Sequence, residues 1–350
     1  MAYLKNKLIE NDYKYLAMTG CHKYHLQGYY GEGITVGVID TGVNPHPEFE
    51  DRLLINECRD FSMTGFVYGR PNIYEGGETG HATSVASLIA GKTLGVAPKA
   101  KIISLKAVEG DGAAFYTSII EALKYVRDNS EKFDIVNISL SGSVSTPEYE
   151  RVVKDVVNKG VLVVCASGNS GKSELRYPSS FYDVVSVGSV SLDKKESWFS
   201  TENNEVDMVQ VGENIATAYY KGGYCLQTGT SFASPLVAGI ASLIACKYKK
   251  LFNKRIPEPE LYTMLKLNTI DLNQIGIDDK TGAGLCTLGM GTWTKMMPSD
   301  KNYTINGKPY TAIVPITTID YCTMVHVRMA NEQYGVRCFS NTDNTIDMIG

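Results

Sequence analysis

The sequence lacks the features that would assign it to several large classes of protein. Its eight cysteines form no C-x-x-C pair and have no metal-ligand spacing, so nothing indicates a zinc site or a redox motif. No basic tract stands out, and a formal net charge of −4 argues against a nucleic-acid or membrane-surface protein. The N-terminus has no apolar region typical of a signal peptide, and no apolar run reaches membrane-spanning length. We therefore expect a cytoplasmic protein with reduced thiols, the alternative being export by a non-classical route.

The chain has enough length and apolar content for one large core and an appendage. It contains 350 residues, of which 43% are hydrophobic. This exceeds one ordinary core, so we predict a large α/β domain with a small additional domain. The predicted boundaries are residues 1–32 for an N-terminal extension, 33–290 for the main domain and 291–350 for a C-terminal β-rich domain.

One serine lies between a glycine-bearing turn and an apolar segment of helical period. Residues 236–251 repeat apolar side chains at three- and four-residue spacing, which predicts a buried helix that begins near Ser231, with Pro235 in its first turn. The N–H groups and dipole at a helix start favour developing negative charge, which suits a serine beside a tetrahedral oxyanion. On this segment alone, a serine that only caps the helix is the alternative.

Two further segments end in groups suited to proton transfer. The apolar run 34–39 predicts a central strand that delivers Asp40 at its carboxyl end, the edge at which open α/β sheets build their sites. Residues 80–91 predict a helix of small residues with His81 in its first turn. Aspartate, histidine and serine therefore occur in that order, each at the end of an element.

With these motifs the chain resembles the subtilisin-like serine proteases, in which the three residues follow the same order. Asp40 in Val-Ile-Asp-Thr-Gly, His81, and Ser231 in Gly-Thr-Ser-Phe-Ala-Ser-Pro match the family's triad. Asn169 in Ala-Ser-Gly-Asn matches the oxyanion asparagine. The resemblance covers residues 30–290, and the layout is most similar to the intracellular subtilisins. It implies a serine endopeptidase that forms an acyl-enzyme, built on a three-layer αβα domain with a mostly parallel sheet.

The resemblance also implies a cleft for an extended peptide. Ser139, Leu140 and Ser141 match the edge segment that pairs with substrate, although the family usually has glycine at the third position. The other expected contacts are Gly168 beside the asparagine, Tyr116 and residues 110–112 on the opposite wall, and Arg176 at the floor of the pocket for the residue before the scissile bond.

The sequence allows several positions and effects for the Arg176 side chain. Its guanidinium could favour an acidic substrate side chain, or it could shorten the pocket by lying across it. The alternative is that the Arg176 side chain turns outward to solvent or pairs with Glu174.

The family has two cation sites, and we expect this chain to lack the first and to retain acidic residues of the second. The connection 91–95 is too short to supply the six to eight oxygens, roughly, that Ca²⁺ needs, so we expect the main calcium site to be absent. Glu205 and Asp207 match acidic ligands of a weaker calcium or sodium site, near carbonyls expected at Ser179 and Phe181. A solvated acidic loop is the alternative, and no cofactor is expected to be required.

The two ends of the chain carry weaker signals. The resemblance implies that residues 1–32 cover the site before removal, and a helix packed on the main domain is the alternative.

Asn306-Gly307 predicts a hairpin, with β-rich segments at 312–316 and 323–327. The tail resembles the small copper-amine-oxidase-N-terminal-like domain, which is often attached to bacterial cell-envelope proteins and implies no copper here. A β appendage that stabilises the main domain or mediates self-association is the alternative.

The competing function is a catalytically weak or inactive scaffold that binds a peptide or a cell-envelope partner. Ala82 replaces the glycine that usually follows the histidine, and its methyl group could narrow the adjacent pocket. A binding protein has no need of Asp40, His81, Asn169 and Ser231 together, which favours the protease. The expected partner is a protein or peptide substrate.

Overall fold

The computed structural model describes residues 8, 10–62, 80–108, 116–273 and 275–289. It also describes the backbone of short strands outside these ranges. Within the described residues the α-helices are α1 (Lys14–Thr19), α2 (Cys21–His25), α3 (His81–Ala90), α4 (Tyr116–Asp128), α5 (Pro147–Asn158), α6 (Thr230–Phe252) and α7 (Glu258–Leu267).

The described strands up to residue 289 are β1 (Leu4–Lys5), β2 (Thr35–Asp40), β3 (Arg59–Asp60), β4 (Arg70–Pro71), β5 (Lys101–Lys106), β6 (Ile135–Ile138), β7 (Leu162–Ala166), β8 (Val185–Val190), β9 (Met208–Val211), β10 (Ile215–Ala218), β11 (Tyr224–Gln227), β12 (Thr269–Ile270) and β13 (Leu285–Cys286).

The main sheet is mostly parallel and places Asp40 at a reversal of strand order. Its strands run in the order β12-β13-β9-β8-β7-β6-β2-β5-β3-β4, and only the outer pairs β12–β13 and β3–β4 are antiparallel. The strand order reverses at β2, which lies between β5 and β6. Open α/β sheets bind ligands beside the carboxyl ends of strands at such a point.

Two hydrophobic clusters cover the two faces of this sheet. Helices α3 and α6 contribute to the first cluster, and α4 and α5 to the second. Side chains of β2 alternate between them, since Val36 and Val38 join the first and Ile39 the second. This period of two is the strand pattern, and it confirms the predicted three-layer αβα architecture.

Helix α6 begins within one residue of the predicted start, but Pro235 lies in its second turn. The prediction for Pro235 was wrong because Gly229, with φ of 148°, ends the preceding segment and the helix starts at Thr230. Proline has no N–H, so the carbonyl of Ser231 loses its helical donor. The hydroxyl of Ser139 donates to that carbonyl at 2.8 Å instead. This bond ties the start of α6 to the segment after β6.

By length and composition alone, the same helix is long and apolar enough to cross a membrane. Nearly all of its most apolar window is buried inside the protein. A helix that is apolar on all sides is typical of the core of a large domain.

The N-terminal residues share structure with the main domain. Tyr15 on α1, and Cys21 and Tyr24 on α2, belong to the first hydrophobic cluster. Strand β1 pairs with β11 in a second, antiparallel sheet of order β1-β11-β10. The two short helices therefore pack on the main domain, as one of the two alternatives for residues 1–32 requires.

Beyond residue 289 the backbone of six strands is described, and they pair as three antiparallel ladders: β14 (Asn302–Ile305) with β15 (Lys308–Thr311), β16 (Thr317–Ile319) with β17 (Cys322–Met324), and β18 (Arg337–Ser340) with β19 (Ile346–Ile349). Ile305 lies opposite Lys308, which leaves the two-residue connection expected at Asn306-Gly307. The predicted segment 312–316 lies outside the described residues.

The cysteines of the described ranges up to residue 289 are free and buried; they are Cys21, Cys58, Cys165, Cys225, Cys246 and Cys286. Burial raises the pKa of the Cys58 thiol to about 11, with smaller contributions from neighbouring groups. Such thiols are inert at neutral pH because the thiolate is the reactive form.

Candidate active site

The end of β2 and the start of α3 bring Asp40 and His81 into contact. Both carboxylate oxygens of Asp40 lie 2.9 Å from Nδ1 of His81, and Asp40 is fully buried. A carboxylate only accepts, so it fixes the proton on Nδ1 and leaves Nε2 of the neutral ring as a base. The backbone N–H of Thr41 also donates to Asp40 at 2.6 Å, which holds the carboxylate in place.

The environment of His81 shifts its basicity. Burial alone would lower the pKa of His81, but the charge of Asp40 and its hydrogen bond outweigh burial and raise the pKa above its usual 6.5. A quarter of the His81 side chain is exposed, so the ring opens to solvent on the side away from Asp40. These properties suit a general base.

Ser231 lies in the first turn of α6, near His81. The ring of the next residue, Phe232, lies 5.4 Å from the ring of His81. The Ser231 hydroxyl donates to the carbonyl of Ser139 at 3.1 Å, and in the described ranges His81 Nε2 makes no hydrogen bond. In free enzymes the nucleophile–base contact often forms only with substrate. A contact between the Ser231 hydroxyl and His81 would therefore require the hydroxyl to turn away from Ser139.

Asn169 is oriented by the residue before the serine. Thr230 donates to Asn169 Oδ1 from its backbone N–H at 2.8 Å and from its hydroxyl at 2.9 Å. An N–H donor requires an acceptor, so this atom is the amide oxygen and Nδ2 is left free to donate. A free amide N–H beside the start of α6 can stabilise an oxyanion at a carbonyl attacked by Ser231.

A buried network of hydroxyl groups supports the serine. Ser139 Oγ receives a hydrogen bond from the Asn137 side chain at 2.9 Å and lies 3.0 Å from Ser234 Oγ. It also donates to the Ser231 carbonyl. The predicted substrate residue Ser139 therefore fixes the backbone of Ser231.

Two other predicted substrate residues, Ser141 and Arg176, lie close to a third, Gly168. A Cβ atom added there would lie 2.8 Å from Thr201 Oγ1, 3.1 Å from Ser141 Oγ and 3.2 Å from Arg176 Cγ. With φ of 113°, the position also requires glycine for its backbone. The segment after β6 and the segment before Pro178 are joined by reciprocal hydrogen bonds between Gly142 and Tyr177.

Arg176 pairs with Glu174, which is one of its expected outcomes. Its stem lies against Gly168, while its Nε and Nη2 bind Oε1 of Glu174 at 2.7 and 2.6 Å. A hydrogen bond from Ser170, followed by that from Arg176, lowers the pKa of Glu174. The guanidinium is thus paired with a carboxylate of this chain, while 30% of the Arg176 side chain stays exposed.

The remaining predicted contacts are partly described. Leu140 packs against the second cluster, and Tyr116 is exposed at the first turn of α4. Residues 110–112 lie outside the described residues.

Asp207, one of the two residues predicted to hold a cation (the other is Glu205), pairs with groups of this chain. The ammonium of Lys266 binds Asp207 Oδ1 at 3.0 Å, and the same oxygen accepts a hydrogen bond from the hydroxyl of Tyr262. The other oxygen accepts the N–H of Ser186. In the described ranges no group of three or more His, Cys, Asp and Glu side chains is placed to hold a metal. An ammonium here repels a metal cation, so these residues do not fit one.

The carboxylate of Glu48 binds the short connection 91–95 that follows α3. Glu48, which is buried, accepts the backbone N–H groups of Thr93 at 2.8 Å and Leu94 at 3.3 Å, and the Thr93 hydroxyl. The Tyr224 hydroxyl also donates to it at 2.9 Å. Its oxygens are therefore occupied by protein donors and do not fit a calcium site.

Comparison with known proteins agrees with this geometry. Residues 31–284 match the Subtilase family, Peptidase S8. The chain belongs to the subtilase family. It is 38% identical over 253 residues to an intracellular serine protease of Paenibacillus polymyxa, covering 69% of this chain and 76% of the relative. It is 35% identical over 259 residues to the major intracellular serine protease of Bacillus subtilis (strain 168), covering 71% and 79%.

Solved structures show the same fold. A cold-adapted subtilisin-like serine proteinase superposes with a TM-score of 0.64 at 30% identity, covering 75% of this chain and 91% of that one. A lanthipeptide protease superposes with a TM-score of 0.69 at 24% identity, covering 78% and 92%. This subtilase is accordingly a serine endopeptidase, and the predicted family and fold are confirmed.

Two functional residues were missed from sequence. Thr230 orients Asn169, and its position beside Ser231 in Gly-Thr-Ser was the available signal. Lys266 lies on α7, remote from Asp207 in sequence, and no local pattern points to it.

Proposed function

We propose that Ser231 is the nucleophile, His81 the general base, Asp40 the group that orients His81, and Asn169 the oxyanion donor. The observation that carries this assignment is the contact of Nδ1 of His81 with both oxygens of Asp40 at 2.9 Å, next to the start of α6. The reaction class follows from membership of the family. The role of each of the four residues is proposed from the position and hydrogen bonds of its side chain.

In this mechanism the Ser231 hydroxyl transfers its proton to His81 Nε2 as Oγ attacks the peptide carbonyl. The carbonyl oxygen becomes an oxyanion that accepts a hydrogen bond from Asn169 Nδ2. His81 then protonates the leaving amine, and the acyl group stays on Ser231 until water repeats the sequence. Asp40 remains ionised and stabilises the imidazolium.

Replacement of the nucleophile tests the assignment. Ser231→Ala should lose nearly all peptide cleavage while its melting temperature remains that of the wild type. Ser242→Ala is the matched control, because Ser242 lies on the same helix and bonds only the Ala238 carbonyl. Full cleavage by Ser231→Ala would reject the triad. A wild type that binds peptides without cleaving them would favour the scaffold instead.

We also propose that Arg176 limits the size of the substrate residue before the scissile bond. Its stem lies against Gly168, and Glu174 neutralises its charge. The paired guanidinium therefore shortens the pocket without giving it a net positive charge. An acidic preference requires that the pair be broken.

A peptide library compared across three enzymes tests this role. Arg176→Ala should gain activity on large apolar residues before the cut, since the pocket becomes deeper. Glu174→Ala should gain activity on acidic residues, because the guanidinium loses its carboxylate. An identical preference in wild type and Arg176→Ala would show that Arg176 does not line the pocket.

We further infer a cytoplasmic location, because the two curated relatives described above are named intracellular.

Residues 291–350 extend beyond the matched region 31–284, and we propose self-association or a cell-envelope contact for them. Cell fractionation tests the location, and light scattering of the full chain over a concentration series tests self-association.

A further inference from the structure

We propose that the outer edge of β11 binds the downstream half of the substrate as an added antiparallel strand. Residues Leu4–Lys5 occupy this edge in the free enzyme and compete with that peptide. The proposal rests on the proposed function, since it requires a peptide cut at Ser231. It assigns a binding surface beyond the residues that surround the scissile bond.

The structure shows that this edge accepts a strand. β1 pairs antiparallel with β11, with Leu4 opposite Cys225 and Lys5 opposite Tyr224. The other edge of β11 is occupied by β10, in which Ala218 lies opposite Tyr224. The edge of β11 that faces away from β10 is therefore the one at which a further strand can pair. An extended peptide that replaces β1 there would bind through backbone hydrogen bonds.

The direction of β1 is the direction of a leaving peptide. β11 leads through Thr228 and Gly229 into Ser231, so an antiparallel partner runs away from the nucleophile as its residue numbers increase. The downstream half of a substrate begins at the scissile bond and also runs away from it. At about 3.3 Å per residue, the edge at Tyr224 lies within reach of a peptide with roughly eight downstream residues.

The hairpin lies on the His81 side of the site, where the leaving amine is protonated. A Cβ added to Gly80, the residue before His81, would lie 2.4 Å from the ring of Tyr220 in the hairpin turn. Ser84 donates to the Ala218 carbonyl at 3.0 Å, and the Ala218 N–H donates to Ser87 Oγ at 3.0 Å. The helix that carries His81 thus holds the hairpin in place.

The register identifies the backbone groups that face outward. In an antiparallel ladder, opposite residues alternate between hydrogen-bonded and non-hydrogen-bonded pairs. The N–H of Tyr219 bonds the Gly223 carbonyl, so Cys225 directs its backbone groups toward β10. Tyr224 and Leu226 direct theirs outward. Lys5 lies opposite Tyr224 and therefore directs its N–H toward β11, while Leu4 directs its N–H away.

This alternation supplies a matched pair of variants. Lys5→Pro removes an N–H that faces β11, whereas Leu4→Pro removes one that faces away. Each enzyme is tested with two fluorogenic peptides that share the same sequence around the cut, one ending about two residues and one about eight residues downstream. For Lys5→Pro we expect kcat/KM on the long peptide to rise roughly fivefold or more over wild type, as expected for a few backbone hydrogen bonds. The short peptide should be unaffected, and Leu4→Pro should behave as wild type.

A second measurement uses the peptide alone. Single N-methylation of successive amides in the distal downstream residues should lower kcat/KM at every second position, because only alternate N–H groups face the edge. Uniform losses, or none, would overturn the proposal, as would an equal gain on both peptides in Lys5→Pro. Failure of the proposed function is distinguishable, because then neither peptide is cut at all.

Discussion

At the scale of single residues, the site depends on how two side chains are oriented. Thr230 fixes the amide of Asn169 through two hydrogen bonds to Oδ1, and Asp40 fixes the tautomer of His81. In the proposed mechanism Asn169 Nδ2 meets full negative charge only in the transition state, so its removal should affect turnover more than binding.

We therefore expect Asn169→Ala to lower kcat by about 10²–10³-fold with little change in KM, a magnitude carried over from removal of an oxyanion donor in a subtilisin. Steady-state kinetics on one peptide check this. Thr230→Val keeps the backbone donor and removes the hydroxyl, so it should lose less. A change confined to KM in Asn169→Ala would place the amide in ground-state binding instead.

The raised pKa of His81 predicts the pH dependence of the reaction. In the proposed mechanism the neutral His81 ring is the base, so kcat/KM should rise with pH through the folded-state pKa of His81, which lies above 6.5. In Asp40→Asn the charge that raises the pKa is gone, so the acid limb should move to lower pH and kcat should fall about 10⁴-fold. A pH–rate profile of both enzymes checks the shift. An unmoved acid limb would assign it to another group.

At the scale of elements, the strand before Asp40 was predictable to within one residue, since the run 34–39 corresponds to β2 (Thr35–Asp40). Short apolar runs such as those before Asp40 and Asn169 leave few alternatives for buried parallel strands. The position of Pro235 was not predictable, because it depends on the Ser139 hydroxyl that bonds the Ser231 carbonyl. The Lys266–Asp207 pair depends in the same way on packing between distant elements.

The connection after α3 should be stable without calcium. Chelation should leave the melting temperature of the wild type unchanged within error, since Glu48 supplies the acceptors for Thr93 and Leu94. Glu48→Ala should destabilise the protein by roughly 2–4 kcal/mol, because buried N–H groups lose their partner. Thermal and denaturant unfolding with and without chelator measure both effects. A large drop on chelation, reversed by calcium, would contradict this account.

Lys266 takes the place of a cation beside Asp207. Lys266→Ala should cost about 1–3 kcal/mol, because a mostly buried carboxylate loses its ion pair and keeps only the donors Tyr262 and Ser186. Lys266→Met keeps the apolar stem and separates the charge from the packing. Added calcium should raise the melting temperature of Lys266→Ala more than that of the wild type. Equal responses would show that Lys266 does not exclude cations.

At the scale of the whole molecule, one core joins the N-terminal helices to the protease fold. Tyr15 and Tyr24 share the cluster formed by α3 and α6, and β1 extends the hairpin that leads to Ser231. The matched region 31–284 therefore carries the reaction, while residues before it cover part of its surface. The sequence could identify the chemistry because the triad lies at element ends, but the use of the β11 edge appears only in the pairing of distant strands.

Covalent labelling of the full-length protein tests the central claim most directly. A fluorophosphonate probe should add to the wild type once, and peptide mapping by mass spectrometry should place the adduct on Ser231. Labelling should fall with His81→Ala, because the hydroxyl loses its base, and disappear with Ser231→Ala. An adduct on another serine, or undiminished labelling of Ser231→Ala, would contradict the assignment of Ser231 as the nucleophile.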